Sequence, residues 1–208
     1  MRLITWNINS VRLHLPIVLQ LLEQAKPDVL CLQEIKTVNE TFPTEALAEA
    51  GYAHQLVKGQ KGYNGVAILS KSPIDVELTA LPGDDDDDHA RYIEAMIGDL
   101  RVASIYLPNG NPTRNDDGTD SDKYLYKLRW MERLVEHTRT LLANEDTFVM
   151  GGDYNLCPSD DDVYDPAAFV DDALCRPESR TRYRTLMNLG LIEAFSSLYT
   201  SRRRNSYW

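Results

Sequence analysis

The sequence predicts a mixed α/β fold, a two-layer β-sandwich flanked by helices, formed by a single domain over residues 1–208. Short apolar runs of strand length outnumber the helical patterns. The two kinds do not alternate regularly, which favours a mixed sandwich over a doubly wound parallel sheet. The hydrophobic content is 43%, which is enough to bury a core. No internal repeat or long linker divides the chain, so we expect one domain.

The first half of the chain combines four predicted strands with two predicted helices. Apolar residues three and four positions apart predict an amphipathic helix over 15–25, with Pro16 in its first turn and Pro27 beyond its end. A short helix over 44–50 is followed by Gly51. The strands are short apolar runs bounded by polar and turn residues, and they cover 2–7, 29–34, 52–57 and 65–70.

The second half contains the longest helical pattern, over residues 124–142, where apolar residues keep helical spacing for about five turns. A further helix over 178–189 ends at Gly190. Strands are predicted over 91–97, 100–107 and 147–155, and loops over 108–121 and 158–176.

Charge and cysteine content say more about the cellular compartment of the protein than about its binding partner. The net charge is −10, and the run Asp84–Asp88, typical of a solvated loop tip, supplies half of it. Composition therefore leaves room for a local nucleic-acid-binding surface. There is no signal-peptide pattern and no apolar stretch long enough to span a membrane. The three cysteines lack zinc-site spacing, which favours free thiols in a reducing cytoplasm.

One stretch, residues 148–155, combines an apolar strand end with two glycines, Asp153 and Asn155. Side chains two positions apart share one face of an extended chain, so we expect the carboxylate and the carboxamide to lie side by side. Their oxygens are hard donors suited to Mg²⁺. The alternative is a strand end followed by a turn rich in Asp and Asn.

Two other apolar runs also end in polar residues, Asn7 and Glu34. Together with the end at Asp153 and Asn155, they suggest strand tips that converge on one site for a hard cation. Mg²⁺ needs only one or two carboxylates, because it keeps several waters and takes phosphate oxygens as well. Glu34 and Asp153 supply that number.

Four motifs carry a resemblance to a known family. They are Trp6-Asn7-Ile8-Asn9-Ser10-Val11-Arg12, Leu32-Gln33-Glu34-Ile35-Lys36, Tyr63-Asn64-Gly65-Val66-Ala67-Ile68 and Gly152-Asp153-Tyr154-Asn155. In order and separation they resemble the exonuclease III-type apurinic/apyrimidinic endonucleases of the endonuclease/exonuclease/phosphatase family, over essentially the whole chain. The first two motifs point to the DNA-repair branch rather than to lipid or inositol phosphatases.

The resemblance implies a role for each matching residue. Glu34 would be the principal ligand of Mg²⁺, with Mn²⁺ as an alternative, and Asn7 would help to hold the metal or its water. Asp153 would bind the metal and orient or deprotonate the attacking water, and Asn155 would hold the scissile phosphate near the metal. Tyr106 matches a family tyrosine near the phosphate; from its residue type alone it is a strand tyrosine packed on the sheet.

Substrate contacts are predicted on weaker patterns. Lys123 and Lys127 fall at i, i+4 on the long helix and share a face that could meet phosphates, although such a face is ordinarily a solvated flank. Side chains that position phosphates could also line a DNA groove, namely Arg91, Asn109, Asn111, Arg176, Arg180 and the run Arg202–Arg204.

The resemblance also leads us to expect a late Asp and a terminal Asp-His motif, which these 208 residues do not contain. None of the four histidines matches the family position. We therefore expect the last strands of the sandwich to be missing and hydrolysis to be impaired.

The leading functional hypothesis is a Mg²⁺-dependent DNA repair nuclease, monomeric and cytoplasmic, which acts on double-stranded DNA. It would cut 5′ to abasic sites, degrade 3′ ends and remove 3′ blocking groups. One alternative is another phosphodiesterase of the family, acting on a lipid or a small phosphate ester. The other is a truncated relative that binds metal or DNA without cutting.

Overall fold

The computed structural model describes residues 1–199, which fall into two compact units. The first unit comprises residues 1–106 and 144–154, and the second comprises residues 107–143 together with the chain from residue 155 onward. The predicted single domain remains a prediction. Within residues 1–199, no helix is long and apolar enough to cross a membrane.

The first unit contains two four-stranded sheets, in the orders β1-β2-β4-β3 and β5-β6-β7-β8. The pairs β1–β2 and β7–β8 are parallel and the other neighbours are antiparallel. The mixed sheets predicted from the sequence are therefore confirmed. The strands are β1 Leu3–Asn7, β2 Val29–Gln33, β3 His54–Lys58, β4 Val66–Ser70, β5 Asp75–Leu78, β6 Tyr92–Ile97, β7 Leu100–Tyr106 and β8 Phe148–Asp153.

Both faces of the first sheet are covered. Val29 and Cys31 of β2 pack with Ile93 and Val102 of the second sheet in one buried cluster, which makes the sandwich two-layered. The opposite face of β2 packs against helices α1 (Leu15–Ala25) and α2 (Thr44–Glu49). Strands β2 and β4 are buried along their whole length, which explains why they appear in the sequence as continuous apolar runs.

The second unit is helical. It contains α3 (Asp122–Ala143), α4 (Pro177–Met187) and α5 (Ala194–Leu198). Helices α3 and α4 lie side by side, joined by an ion pair of 2.5 Å between Arg182 Nη2 and Glu132 Oε1. Pro177 begins α4, a position where its missing N–H costs no helical hydrogen bond.

Two elements were not predicted, β5 and α5. Three of the four residues of β5 are exposed and its pairing with β6 contains a register shift, so no buried apolar run marks it. Helix α5 has only five residues, too few for a 3.6-residue period to emerge.

Candidate active site

Asn7, Glu34 and Asp153 meet in the first unit. Asn7 and Gln33 are partners at the ends of the parallel strands β1 and β2, so Glu34 follows directly beside Asn7. The Nδ2 atom of Asn7 donates to Glu34 Oε1 at 2.7 Å and to Asp153 Oδ2 at 2.8 Å. A single amide thus bridges two carboxylates, and the three strand ends come together as the sequence suggests.

The amide of Asn7 is itself held in place. Its Oδ1 atom accepts the main-chain N–H of Asn9 at 3.1 Å. Ionised carboxylates only accept hydrogen bonds, so the amide must present its nitrogen to Glu34 and Asp153. As a metal ligand Asn7 could offer only the oxygen that Asn9 already contacts, and its place in the metal shell remains a prediction.

Glu34 is kept ionised by its neighbours. Its backbone is left-handed, with φ +52°, so the chain leaves the sheet at this residue. Lys36 Nζ lies 2.8 Å from Glu34 Oε2. Burial raises the pKa of Glu34, but hydrogen bonds from Asn7, Lys36 and Tyr106 and the charge of Lys36 outweigh it and lower the pKa. A metal ligand must be ionised, and Glu34 meets that condition.

Tyr106 lies at the end of β7 and hydrogen-bonds to Glu34. The guanidinium of Arg91 stacks 4.8 Å from its ring centroid, and Arg91 Nη1 donates to the main-chain carbonyl of Tyr106 at 3.4 Å. Burial and the nearby charges of Glu34 and Asp153 raise the pKa of Tyr106, against the opposing charge of Arg91. Its phenol is therefore protonated at neutral pH and can donate a hydrogen bond.

Gly152, directly before Asp153, allows β8 to approach its neighbour β7. A Cβ atom on Gly152 would lie 2.0 Å from the main-chain oxygen of Ile105 in β7. The parallel pairing of β7 and β8 aligns Tyr106 with Asp153. Because Gly152 has no Cβ atom, β8 can pair closely with β7, and this pairing places Asp153 beside Tyr106.

Asn155 belongs to the second unit. Strand β8 ends at Asp153, and Asn155 has φ +42°, so the extended geometry expected for residues 153 and 155 is wrong. The reason is a left-handed turn directly after the strand. The Nδ2 atom of Asn155 donates to the carbonyl of Leu107 at 2.9 Å, and its Oδ1 accepts from Asn109 Nδ2 at 3.3 Å.

Lys127 is buried, and the predicted exposed face shared with Lys123 is wrong. Its Nζ donates to the main-chain carbonyls of Asn155 at 2.6 Å and Asn109 at 3.0 Å. Gly110 makes room for its aliphatic chain, because a Cβ there would lie 2.6 Å from Lys127 Cδ. These carbonyls satisfy the ammonium inside the unit, whereas Lys123 is exposed. The i, i+4 spacing of the two lysines alone cannot show that one is buried and the other exposed.

The remaining predicted substrate contacts lie in the part of the chain that the structure describes, apart from the run Arg202–Arg204. Arg176 precedes α4, pairs with Glu178 at 3.3 Å and lies 5.9 Å from the ring centroid of Tyr124. Arg180 contacts Asp160 at 2.9 Å. Asn111 donates to Asp172 at 3.0 Å. The run Arg202–Arg204 lies outside the described residues. DNA contact by any of these side chains remains a prediction.

The donor set at Glu34 fits a hard divalent cation. Residues 1–199 contain no group of three or more His, Cys, Asp and Glu side chains that could hold a metal ion. Mg²⁺ does not require such a group, since one or two carboxylates together with water and substrate phosphate suffice. Glu34 and Asp153, linked through Asn7, supply two carboxylates at adjacent strand ends.

The profile of the Endonuclease/Exonuclease/phosphatase family matches residues 4–208. The chain belongs to this family. This confirms the resemblance inferred from the four motifs. A curated relative is "Exodeoxyribonuclease III" of Haemophilus influenzae, which is 30% identical over all of this chain and 79% of its own length.

Solved structures of the family share the fold. An AP endonuclease from Archaeoglobus fulgidus superposes with a TM-score of 0.88 and 33% identity, over 99% of this chain and 77% of that one. A 3′ phosphatase from Neisseria, described as bound to a product DNA hairpin, gives a TM-score of 0.87 and 37% identity, over 95% and 74%. The predicted mixed sandwich is confirmed by both.

Proposed function

We propose that this chain is a DNA repair nuclease that hydrolyses phosphodiesters in double-stranded DNA with a divalent metal. It acts 5′ to abasic sites and from 3′ ends. The observation that carries this proposal is the Asn7 amide that joins the carboxylates of Glu34 and Asp153. The names of similar proteins, exodeoxyribonuclease III and AP endonuclease, support the proposal.

Glu34 and Asp153 would hold the metal, which we take to be Mg²⁺ with Mn²⁺ as the alternative. When bound, the cation supplies Lewis acidity and neutralises charge on the phosphoryl oxygens. Asn7 keeps the two carboxylates together by donating to both. Lys36, already paired with Glu34, adds positive charge beside them.

The chain's own groups account for the remaining chemistry. Asp153 orients the attacking water and accepts its proton, as general-base catalysis requires. The phenol of Tyr106 donates its one proton to Glu34 and so helps to keep that carboxylate ionised. The amide of Asn155 is a candidate donor to charge that develops on the phosphate. Arg91, which stacks on Tyr106, and Asn109, which contacts Asn155, are candidates for binding phosphates in their own units. Lys123 adds an exposed cation, and Arg176 remains a candidate contact.

The test is cleavage of a labelled abasic-site duplex with Mg²⁺ and with EDTA. We expect Mg²⁺-dependent incision 5′ to the abasic site, and the impaired hydrolysis expected from the sequence remains a prediction that the rate of this incision tests. Glu34→Gln and Asp153→Asn should lower the single-turnover rate on the order of 10²-fold or more. Glu40→Gln, at an exposed position of a short 3-10 helix, is the control and should leave the rate within about twofold, as expected for a surface substitution.

The same assay separates the alternatives. Faster hydrolysis of a phospholipid or an inositol phosphate than of the abasic duplex would point to another phosphodiesterase of the family. Binding of the duplex without incision in Mg²⁺ or Mn²⁺ would point to a non-cleaving relative. The monomeric state and the cytoplasmic location remain predictions.

A further inference from the structure

Two of the three cysteines form a pair in the second unit. Cys157 and Cys175 are 5% and 7% exposed and pack with Val163 and Leu174 in one small apolar cluster. The main-chain N–H of Cys157 donates to the carbonyl of Leu174 at 2.9 Å. The chain segments that carry the two thiols are therefore already joined next to both residues.

The two thiols also share one charged neighbour, Arg180, whose charge acts to lower the pKa of both. Arg180 is anchored here by hydrogen bonds from its Nε to the carbonyl of Cys157 and from its Nη1 to Asp160, both at 2.9 Å. The guanidinium is thus anchored to the main chain of the pair.

We propose that Cys157 and Cys175 are a modification site at which hydrogen peroxide forms an intramolecular disulfide. The small apolar cluster that the two thiols share, the backbone hydrogen bond beside them and the neighbouring guanidinium carry this inference. It is independent of the nuclease proposal. Because the loop between the cysteines is already closed by the Cys157–Leu174 hydrogen bond, the disulfide requires little backbone movement.

The reaction balances with one peroxide. The sulfur of Cys175 attacks a peroxide oxygen and the O–O bond breaks, which gives a sulfenic acid and one water. The sulfur of Cys157 then attacks the sulfur of Cys175, the S–O bond breaks, and hydroxide leaves with the thiol proton as a second water. Two thiols lose two electrons in total and the peroxide gains them.

Cys175 is the attacking group because its neighbours favour its thiolate. Burial and the charge of Asp172 raise the pKa of Cys175, while the neighbouring Cys157 and the charge of Arg180 oppose that rise. Burial and Cys175 itself raise the pKa of Cys157 to about 12. Since thiolates are the reactive species, oxidation should be slow at neutral pH and should accelerate as the pH rises.

Cys31 is an internal control. It is fully buried in the sandwich core of the first unit, where burial raises its pKa to about 12. No cysteine lies beside it in that cluster. We therefore expect Cys31 to stay reduced when the pair in the second unit is oxidised.

The experiment treats the intact protein with hydrogen peroxide, alkylates free thiols under denaturing conditions and maps the peptides by mass spectrometry. We expect a Cys157–Cys175 crosslink, with a loss of about 2 Da, and alkylated Cys31. The apparent Tm should rise by about 6 °C, because the crosslink restrains the unfolded chain. Cys31→Ser should behave like the parent, and Cys175→Ser should form no crosslink.

Three results would overturn the proposal. One is alkylation of both Cys157 and Cys175 after peroxide treatment at pH 9. Another is their separate oxidation to sulfinic acids without a crosslink. The third is a crosslink through Cys31. Because peptide mapping is done on the parent protein, these outcomes do not depend on whether a cysteine variant folds.

Discussion

The ammonium of Lys127 donates a hydrogen bond of 2.6 Å to the main-chain carbonyl of Asn155. The same group donates to the carbonyl of Asn109 at 3.0 Å, and the Asn109 side chain donates to Asn155 Oδ1 at 3.3 Å. Lys127 is 0% exposed. This buried charge therefore fixes the backbone of the residue to which we assign the scissile phosphate.

Replacing Lys127 by Met should weaken both folding and turnover. The side chain keeps its length but loses its charge and donors, which leaves two carbonyls without this partner. We expect a loss of about 3 kcal/mol in the free energy of unfolding and a fall in kcat larger than the rise in KM. Denaturant titration and steady-state cleavage of abasic duplex measure the two effects.

Lys123→Met is the matched control on the same helix, since Lys123 is exposed. It should change stability by less than about 0.5 kcal/mol, as surface substitutions do. Equal stability of the two variants would show that the bonds made by Lys127 contribute nothing measurable.

Gly152→Ala should be far more damaging than Gly151→Ala. A Cβ on Gly152 would meet the main-chain oxygen of Ile105 at 2.0 Å, whereas one on Gly151 would lie 3.4 Å from Thr5 Cβ. We expect Gly152→Ala to cost about 3 kcal/mol or more, because backbone must move. Gly151→Ala should cost about 1 kcal/mol or less. Thermal unfolding of both variants checks the order, and similar melting temperatures would contradict it.

These sites show what the sequence could and could not predict. Strand ends at Asn7 and Glu34 could be located because an apolar run followed by a polar residue marks where a buried strand leaves the core. The glycines before Asp153 indicated a close approach, but the partner, Ile105, lies in another strand and cannot be identified from local sequence.

Two errors have the same physical origin. The apolar pattern predicts that the strand continues to Asn155, but the left-handed backbone of Asn155 ends the alternation of side chains. Helical spacing placed Lys127 on a solvated face, although tertiary contacts bury it. Sequence periods describe regular elements, while loops and buried charges depend on partners that are distant in the chain.

Asn7→Ala should weaken metal binding. Asn7 donates to both Glu34 and Asp153, and loss of a group that orients metal ligands commonly lowers affinity by about 10-fold or more. Titration with Mn²⁺ followed by electron paramagnetic resonance measures affinity without relying on turnover. Asn144→Ala, at an exposed position, is the control. Unchanged Mn²⁺ affinity in Asn7→Ala would remove Asn7 from the metal site.

Glu94→Gln should be strongly destabilising. Glu94 is 1% exposed, pairs with Arg101 at 2.6 Å and accepts from the Tyr92 hydroxyl at 2.5 Å. Arg101 keeps its ion pairs with Glu77 and Asp146, each at 3.1 Å. We therefore expect a cost of about 2 kcal/mol, which is typical of losing buried hydrogen bonds to a charged group.

Glu77 provides the comparison, because it pairs with the same Arg101 at 3.1 Å but its side chain is 37% exposed. Glu77→Gln should cost less than about 1 kcal/mol. Urea unfolding of both variants measures the difference. If the two losses are equal, burial does not decide the strength of this network.

Glu178 should make the stability of the protein depend on acid pH. Hydrogen bonding to a backbone amide lowers the pKa of this carboxyl most, burial opposes it, and hydrogen bonds from Arg176 and Tyr124 lower it further. The folded pKa thus lies below the ordinary value of 4.5. Glu178 therefore binds a proton more tightly in the unfolded chain than in the folded protein. Its contribution to the stability of the fold is complete above the unfolded pKa and is lost as the pH falls through the folded pKa.

Glu178→Gln should therefore lower the free energy of unfolding at pH 7, by roughly 0.5 kcal/mol once solvent screening is allowed for, since the side chain is 44% exposed. The difference between parent and variant should disappear in acid, below that lowered pKa. Unfolding in urea at a series of pH values measures it, and Glu23→Gln, at an exposed position of α1, controls for general charge. A parent–variant difference that stays constant from neutral pH into acid would mean that the interactions of Glu178 do not depend on its charge.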